Sequence, residues 1–174
     1  MPTINSVSAL LDSVVDLLQA KIKTTHVQVE KQCDAGLKVT GVFGELRQVV
    51  ANLLANSLDA VEMNGMVKLR ASLVPGRGNG QHRVRITVAD DGKGIDAVAM
   101  KQIFEPFFTT KGAFGTGLGL WVSKQIIDKH HGSIHVRSCT TGAHRGTTFS
   151  IVLPRTAAGA KSILISSEPL PLVT

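Results

Sequence analysis

Residues 104–131, FEPFFTTKGAFGTGLGLWVSKQIIDKHH, decide how this chain is read. Gly112, Gly115, Gly117 and Gly119 run straight into Leu118, Leu120, Val122, Ile126 and Ile127, which have helical spacing. Glycine lets a backbone pass close to a ligand and take φ values closed to other residues. A helix that starts there turns unpaired N–H groups toward the glycines, and such a terminus suits an anion. The same composition also serves an ordinary strand-to-helix connection, so the stretch needs partners elsewhere.

The chain has 174 residues, 43% hydrophobic and 18% charged, enough for one domain with a single core and too few for two. No run approaches the roughly 20 apolar residues that cross a bilayer, and the opening MPTINSVSALLDSVV has no basic region ahead of an apolar block. A soluble, cytoplasmic protein is the expectation. Cys33 and Cys139 lie far apart with no partner at ligand spacing, so they read as buried or idle thiols rather than a disulfide or zinc site. The formal net charge of +6 could suit nucleic acid, but Lys and Arg are scattered along the sequence, Tyr is absent and aromatics make up 4%. A stacking platform is hard to build from that, and a phosphate-bearing small molecule is the expected anion.

In chain order, Ile4, Val7, Leu11, Val14, Val15, Leu18 and Ile22 share one face, which predicts an amphipathic leading helix within residues 1–22. Strands are predicted around Val27 and Val29 and at residues 37–42. Residues 44–63, GELRQVVANLLANSLDAVEM, carry a stripe of Leu46, Val49, Val50, Leu53, Leu54, Leu58 and Val61, the mark of a strong helix. Asn52 and Asn56 are an i, i+4 pair on it. Asn is a poor helix former, and a buried amide must be hydrogen-bonded. A pair of surface amides is the plain account; the functional one is a ligand site, because an amide oxygen suits Mg²⁺, which binds largely through a nucleotide's own phosphates.

Residues 66–74 and 83–90 read as strands. The second ends in Asp90-Asp91-Gly92-Lys93-Gly94-Ile95. A carboxylate at a strand end followed by Gly-x-Gly permits a tight turn with the acid pointed inward, where it can accept a hydrogen bond from an exocyclic amine such as that of adenine. As a bare motif it also serves as an ordinary turn.

The order of these pieces is specific: Asn52 and Asn56, then Asp90-x-Gly92-x-Gly94, then residues 104–111 (FEPFFTTK), then Gly115-Thr116-Gly117-Leu118-Gly119-Leu120. Together they closely resemble the asparagine, first glycine, phenylalanine and second glycine boxes of the catalytic ATP-binding domain of bacterial sensor histidine kinases, within the wider gyrase, Hsp90, MutL and histidine kinase superfamily. The resemblance covers residues 4–154, and residues 146–154 (GTTFSIVLP) look like the family's final strand.

It implies an α/β two-layer sandwich, the Bergerat fold, in which a mixed sheet backs three main helices beneath a flexible ATP lid. By position, Asn56 is similar to the Mg²⁺ ligand, with Asn52 beside it near the phosphates. Asp90 resembles the acid that reads the adenine amine. Gly92, Gly94 and Ile95 resemble the residues around the base, and Gly115, Thr116, Gly117, Leu118, Gly119 and Leu120 the lid. Lys111 is a phosphate or lid cation, and Thr147 resembles a threonine that contacts adenine in some relatives.

Hydrolytic members carry a Glu one turn before the metal Asn as general base. Here that position is Asn52, and an amide cannot accept a proton at neutral pH, so the resemblance gives Asn52 a role in transfer to an external nucleophile rather than to water. Leu58-Asp59-Ala60 stands where many histidine kinases carry a cation and an aromatic, as in the nitrogen-regulatory type, leaving Lys93 and Lys111 as candidate phosphate cations.

His26, His82, His130, His131, His135 and His144 are followed by Val, Arg, His, Gly, Val and Arg, whereas a phosphoacceptor His is typically followed by an acid. His130 and His131 read instead as the end of a helix ahead of Gly132.

The expectation is a catalytic module that binds ATP and Mg²⁺ but does not autophosphorylate alone. Its partners would be a histidine phosphotransfer and dimerisation domain absent from this chain and a response regulator, with neither nucleic acid nor membrane. The module would be monomeric and the full kinase a homodimer. Residues 155–174 read as a flexible tail; KSILISSEPL within it resembles the opening strand of a receiver domain but lacks paired carboxylates. A protein serine kinase or regulatory ATPase of the same superfamily, and a non-catalytic nucleotide sensor, are the alternative functions.

Overall fold

The structure is a computed structural model that describes residues 1–76, 82–110, 112, 115–142 and 144–155. Its frame is a five-stranded sheet in the order β2-β4-β5-β7-β6, formed by β2 (Gln28–Cys33), β4 (Met66–Pro75), β5 (His82–Asp90), β6 (Ser133–Cys139) and β7 (Gly146–Pro154). β2 lies parallel to β4 and every other pairing is antiparallel, which makes the sheet mixed. A separate antiparallel pair joins β1 (Thr3–Ser6) to β3 (Lys38–Gly41). This is the expected two-layer sandwich.

Strict alternation gives the sheet one apolar face. Val67, Leu69 and Ala71 of β4, Val84, Ile86 and Val88 of β5, and Phe149, Ile151 and Leu153 of β7 are all buried. They pack under α1 (Val7–Leu17), α3 (Phe43–Ala60) and α5 (Gly119–Lys129) in one continuous core. α3 is the central helix: its 18 residues bury Leu46, Val49, Val50, Leu53, Leu54 and Leu58 along the stripe read from the sequence. Truncating a fully buried leucine such as Leu53 would cost roughly 2–5 kcal/mol.

The leading segment differs from the single helix expected over residues 1–22. Its first residues are β1, which pairs with β3, and Asn5 Nδ2 donates to Gly41 O at 2.8 Å, so this backbone is satisfied by a neighbour rather than by a helical turn. Ser6 then caps α1 by accepting from Ala9 N. α1 stops at Leu18 (φ −99°, ψ 8°), and α2 (Gln19–Thr25) follows with no fully buried residue. Ile4 therefore falls on the exposed side of a strand. β6, which has no counterpart among the sequence-based expectations, closes the far edge of the sheet.

α5 ends at Lys129. His131 takes the left-handed conformation (φ 54°), and Gly132 N donates back to Ile127 O at 2.9 Å. The His130 ring reaches further. Its Nε2 accepts from Val42 N at 3.1 Å, ahead of α3, while Nδ1 lies 2.7 Å from Ile126 O. A Cβ on Gly41 would come within 2.5 Å of that ring, so this glycine is what lets it lie there.

Cys33 and Cys139 are both free; Cys139 is exposed and Cys33 half-buried. Among the described residues no helix is long and apolar enough to cross a membrane. The expected tail lies outside the described residues except for Arg155, which bridges to Val39.

Candidate functional site

A cavity of about 560 Å³ opens between α3, the end of β5 and the glycine-rich stretch before α5. Of the residues singled out in the sequence, Asn56, Asp90, Gly94, Ile95, Gly115, Thr116, Gly117, Gly119, Leu120 and Thr147 line it. Lys111 lies outside the described residues. Lys93, the other candidate cation, is part of the wall.

Asp90 is placed by the sheet register. It is the last residue of β5 and pairs with Thr147 at the start of β7, whose backbone N donates to Asp90 Oδ1 at 3.1 Å. Gly92 N donates to the same oxygen at 3.0 Å, and the Ser57 hydroxyl donates to Oδ2 at 2.7 Å. Burial pushes the Asp90 carboxyl above its usual range, the bonds from Ser57, Gly92 and Thr147 pull it back, and the neighbouring Asp91 charge adds to the rise. A carboxylate has about four acceptor positions. Three are taken from within the protein, leaving one on Oδ2 for a donor in the cavity. An exocyclic amine meets that requirement and a carbonyl does not.

Two glycines shape the turn after Asp90. A Cβ on Gly92 would meet Ala60 O at 2.6 Å, so β5 can reach α3 only with glycine there. Gly94, at φ +76°, would place a Cβ 2.2 Å from Cys139 O. Next to it Ile95 N donates to Ser138 Oγ at 2.8 Å, Ser138 donates to Gly146 O at 2.9 Å, and its oxygen lies 2.9 Å from Thr147 Oγ1. With Ser138's proton given to Gly146, Thr147 is left to donate to Ser138, and its own oxygen remains an acceptor.

The opposite wall is Thr109, Thr110 and residues 115–117, joined to the first turn of α5. Within it Gly115 N donates to Gly112 O at 3.3 Å and Leu118 N to Thr116 Oγ1 at 3.4 Å. Gly117 (φ +66°) packs on Phe107, which itself has φ 66° and is 74% exposed. Among the described residues no side chain caps the N-terminus of α5, where the first amides of a helix have no partner within it.

Asn52 stands behind the cavity rather than in its wall. Its Nδ2 donates to Gly119 O and Ser123 Oγ, both at 3.3 Å, and so ties α3 to the start of α5. Gly92, which is buried, and Leu118, which is half-buried, are not part of the cavity lining either.

Sequence reasoning passed over Ser57, Ser138, Ile103 and Phe149. Ser57 had a readable signal, a hydroxyl in line with the Leu-rich stripe that is 1% exposed and must find a partner. Ser138 had none, because only the pairing of β6 with β7 brings it beside Thr147. The remaining two are the apolar floor of the cavity.

Comparison with known proteins agrees with this architecture. Residues 41–157 match the family described as histidine kinase-, DNA gyrase B-, and HSP90-like ATPase. Sporulation kinase A of Bacillus subtilis (strain 168) is 36% identical over 152 residues, covering 87% of this chain and 22% of that protein. This chain thus spans about a fifth of that relative's length. The nucleotide-free catalytic domain of histidine kinase ThkA superposes with a TM-score of 0.76 at 30% identity, over 90% of this chain and 99% of that domain. ThkA in complex with response regulator protein TrrA gives 0.71 at 26% identity, over 89% of this chain and 42% of that one. The chain belongs to the histidine kinase-, DNA gyrase B- and HSP90-like ATPases, as an ATP-binding catalytic domain of the histidine-kinase kind.

Proposed function

We propose that the cavity holds ATP with its adenine amine on Asp90 Oδ2 and its phosphates between Asn56 and residues 115–120, and that the domain delivers the γ-phosphoryl group to a histidine on a separate phosphotransfer and dimerisation domain. The observation that carries this is the Asp90 carboxylate, saturated by Ser57, Gly92 and Thr147 except at one acceptor position, in the same cavity that Asn56 and the glycine stretch line.

The donor set suits Mg²⁺ as well. Asn56 contributes a neutral oxygen, and the described residues contain no group of three or more His, Cys, Asp or Glu that could hold a metal. That fits a cation carried mainly by the nucleotide's phosphates rather than caged by protein. When bound, Mg²⁺ would neutralise charge across the phosphate oxygens. The chain's own residues orient and exclude: Asp90 fixes the base, Ile103 and Phe149 keep water from it, Lys93 adds positive charge to the wall, and the amides at the start of α5 can donate to phosphate oxygens. Asn52 stands one turn before Asn56, and its amide, already donating to α5, cannot take a proton from water. The nucleophile is therefore one brought from outside, and a response regulator would take the group onward.

The test is incubation of the 174-residue chain with labelled ATP and a separately expressed histidine hairpin domain. An acid-labile, base-stable phosphoryl product on the hairpin is expected. An acid-stable product would assign the domain to serine kinases, and tight ATP binding without transfer to any cognate hairpin would make it a nucleotide sensor.

A further inference from the structure

Among the described residues, no helix or strand lies over the sheet's other face. Its outward positions follow from the registers: Lys68 and Arg70 on β4, Arg83 and Arg85 on β5, and His135 and Arg137 on β6 alternate with the buried residues of those strands. The Lys and Arg residues that look scattered along the sequence are thus gathered by cross-strand pairing.

One row runs Glu30, Lys68, Ala89, Thr148, Arg137 from edge to edge, and the next runs Gln32, Arg70, Thr87, Ser150, His135. Small side chains occupy the middle of both rows; Lys68 and Arg70 rise on the β4 side, and Arg137 and the His135 ring on the β6 side. The result is a trough about 14 Å wide at roughly 4.8 Å per strand. Above β5, β7 and β6 it deepens into a concavity of about 590 Å³ walled by Arg83, Arg85, His135 and Arg137.

The charges of this face are nearly all of one sign. Five cations elsewhere are held in ion pairs, Lys21 with Asp59, Lys31 with Asp12, Lys124 with Asp128, Lys129 with Glu45 and Arg145 with Glu62. Among the described residues no carboxylate pairs with Lys68, Arg70, Arg85 or Arg137, and Glu30 is the single acid that the strands place on this face. Arg83 is engaged by a carbonyl instead, donating to His131 O at 2.7 Å.

Concentrated like charge disfavours the bare face and favours a partner of opposite charge. The floor narrows the choice. Thr87, Thr148 and Ser150 offer hydroxyls to carboxylates or to a peptide backbone, while the strands put no aromatic side chain on this face to stack a base. The large exposed apolar residues that could anchor in lipid, among them Phe107, Val98 and Met63, lie on other elements.

We propose that the open face of the sheet is a docking surface for an acidic, extended segment of a partner protein, gripped between Lys68 and Arg70 on β4 and Arg137 on β6, with Arg85 rising from β5 between them. None of these residues belongs to the nucleotide cavity, so docking and nucleotide binding can occur together and can be tested apart.

The probe is a fluorescein-labelled oligoglutamate peptide, titrated into the 174-residue chain and read by anisotropy at physiological salt. Binding is expected, with a roughly tenfold or greater loss in Arg85→Glu/Arg137→Glu and less than about a twofold change in Lys23→Glu/Arg47→Glu, an equal charge change on the helical side. ATP affinity, measured in parallel, should be unchanged in both and so reports that the fold is intact; Arg85→Gln/Arg137→Gln supplies a milder pair should the reversal fail to fold. The proposal is overturned if the wild-type chain does not bind the peptide or if both pairs weaken it equally. It is also overturned if a single-stranded oligonucleotide or phosphatidylserine vesicles bind through this face where the peptide does not.

Discussion

Gly94 and Gly117 face each other across the cavity with nearly the same backbone. Their φ angles are +76° and +66°, and a Cβ would lie 2.2 Å from Cys139 O at the first and 2.3 Å from Phe107 C at the second. What surrounds them differs. Gly94 sits between Asp90, with its three internal donors, and Ile95, pinned to Ser138 on a paired strand. Gly117 sits outside the sheet, packed on an exposed phenylalanine, with bonds of 3.3 and 3.4 Å on either side of it. One wall is fixed by sheet register before any ligand arrives. The other lies outside the sheet and rests on Phe107, so in the proposed binding mode base recognition falls to the first wall and phosphate closure to the second.

The same substitution on both walls tests this most sharply. Gly94→Ala combines left-handed strain with overlap against β6, each worth about 1–3 kcal/mol, and should lower the unfolding free energy by roughly 3 kcal/mol in urea denaturation. Gly117→Ala carries the same left-handed strain and an equal overlap, yet its segment lies outside the sheet and can shift off Phe107, so a smaller loss of about 1 kcal/mol is expected. Equal losses would erase the distinction between the walls.

Next in size is Asp90→Asn. Removing a hydrogen bond to a charged group costs about 1.5–3 kcal/mol, or roughly 10- to 150-fold in ATP affinity by calorimetry. Stability should move the other way. Because the folded carboxyl titrates above its unfolded value, its stabilising share is present at acid pH and is lost as pH rises through the raised value. At neutral pH the nucleotide-free Asn variant should therefore melt no lower than the wild type.

Ser57→Ala is the smaller perturbation of the same wall. Losing the 2.7 Å donor to Oδ2 should weaken ATP about 5- to 30-fold. An amine binds the ionised carboxyl, so affinity falls as pH is lowered through the Asp90 transition. Without Ser57 that fall should begin at higher pH, whereas a purely steric effect would leave the profile in place. The least effect is expected from Asn52→Ala, which removes two 3.3 Å bonds to α5 and should cost less than about 1 kcal/mol of stability.

Much of this was legible in the sequence because it is local. The leucine stripe of α3 and the Asp-x-Gly-x-Gly turn each specify their conformation within a few residues. What was hidden depends on pairing between distant segments. Residues 3–6 share the apolar spacing of the helix that follows, and only β3 makes them a strand. Ser138 and Thr147 meet because β6 and β7 are in register, and the cations of the open face come together for the same reason. Asn52 and Asn56 look equivalent at i, i+4, yet one reaches the cavity and the other the first turn of α5, a difference set by where α5 lies.

The engagement of His130 bears on a hazard peculiar to this chemistry. Nε2 accepts a hydrogen bond from Val42 N, which leaves Nδ1–H to donate to Ile126 O, while the side chain is only 7% exposed. No lone pair on that imidazole remains available for attack on phosphorus. In a module proposed to hand phosphoryl groups to histidine, this one is chemically deaf, a would-be nucleophile turned into a peg between two helices.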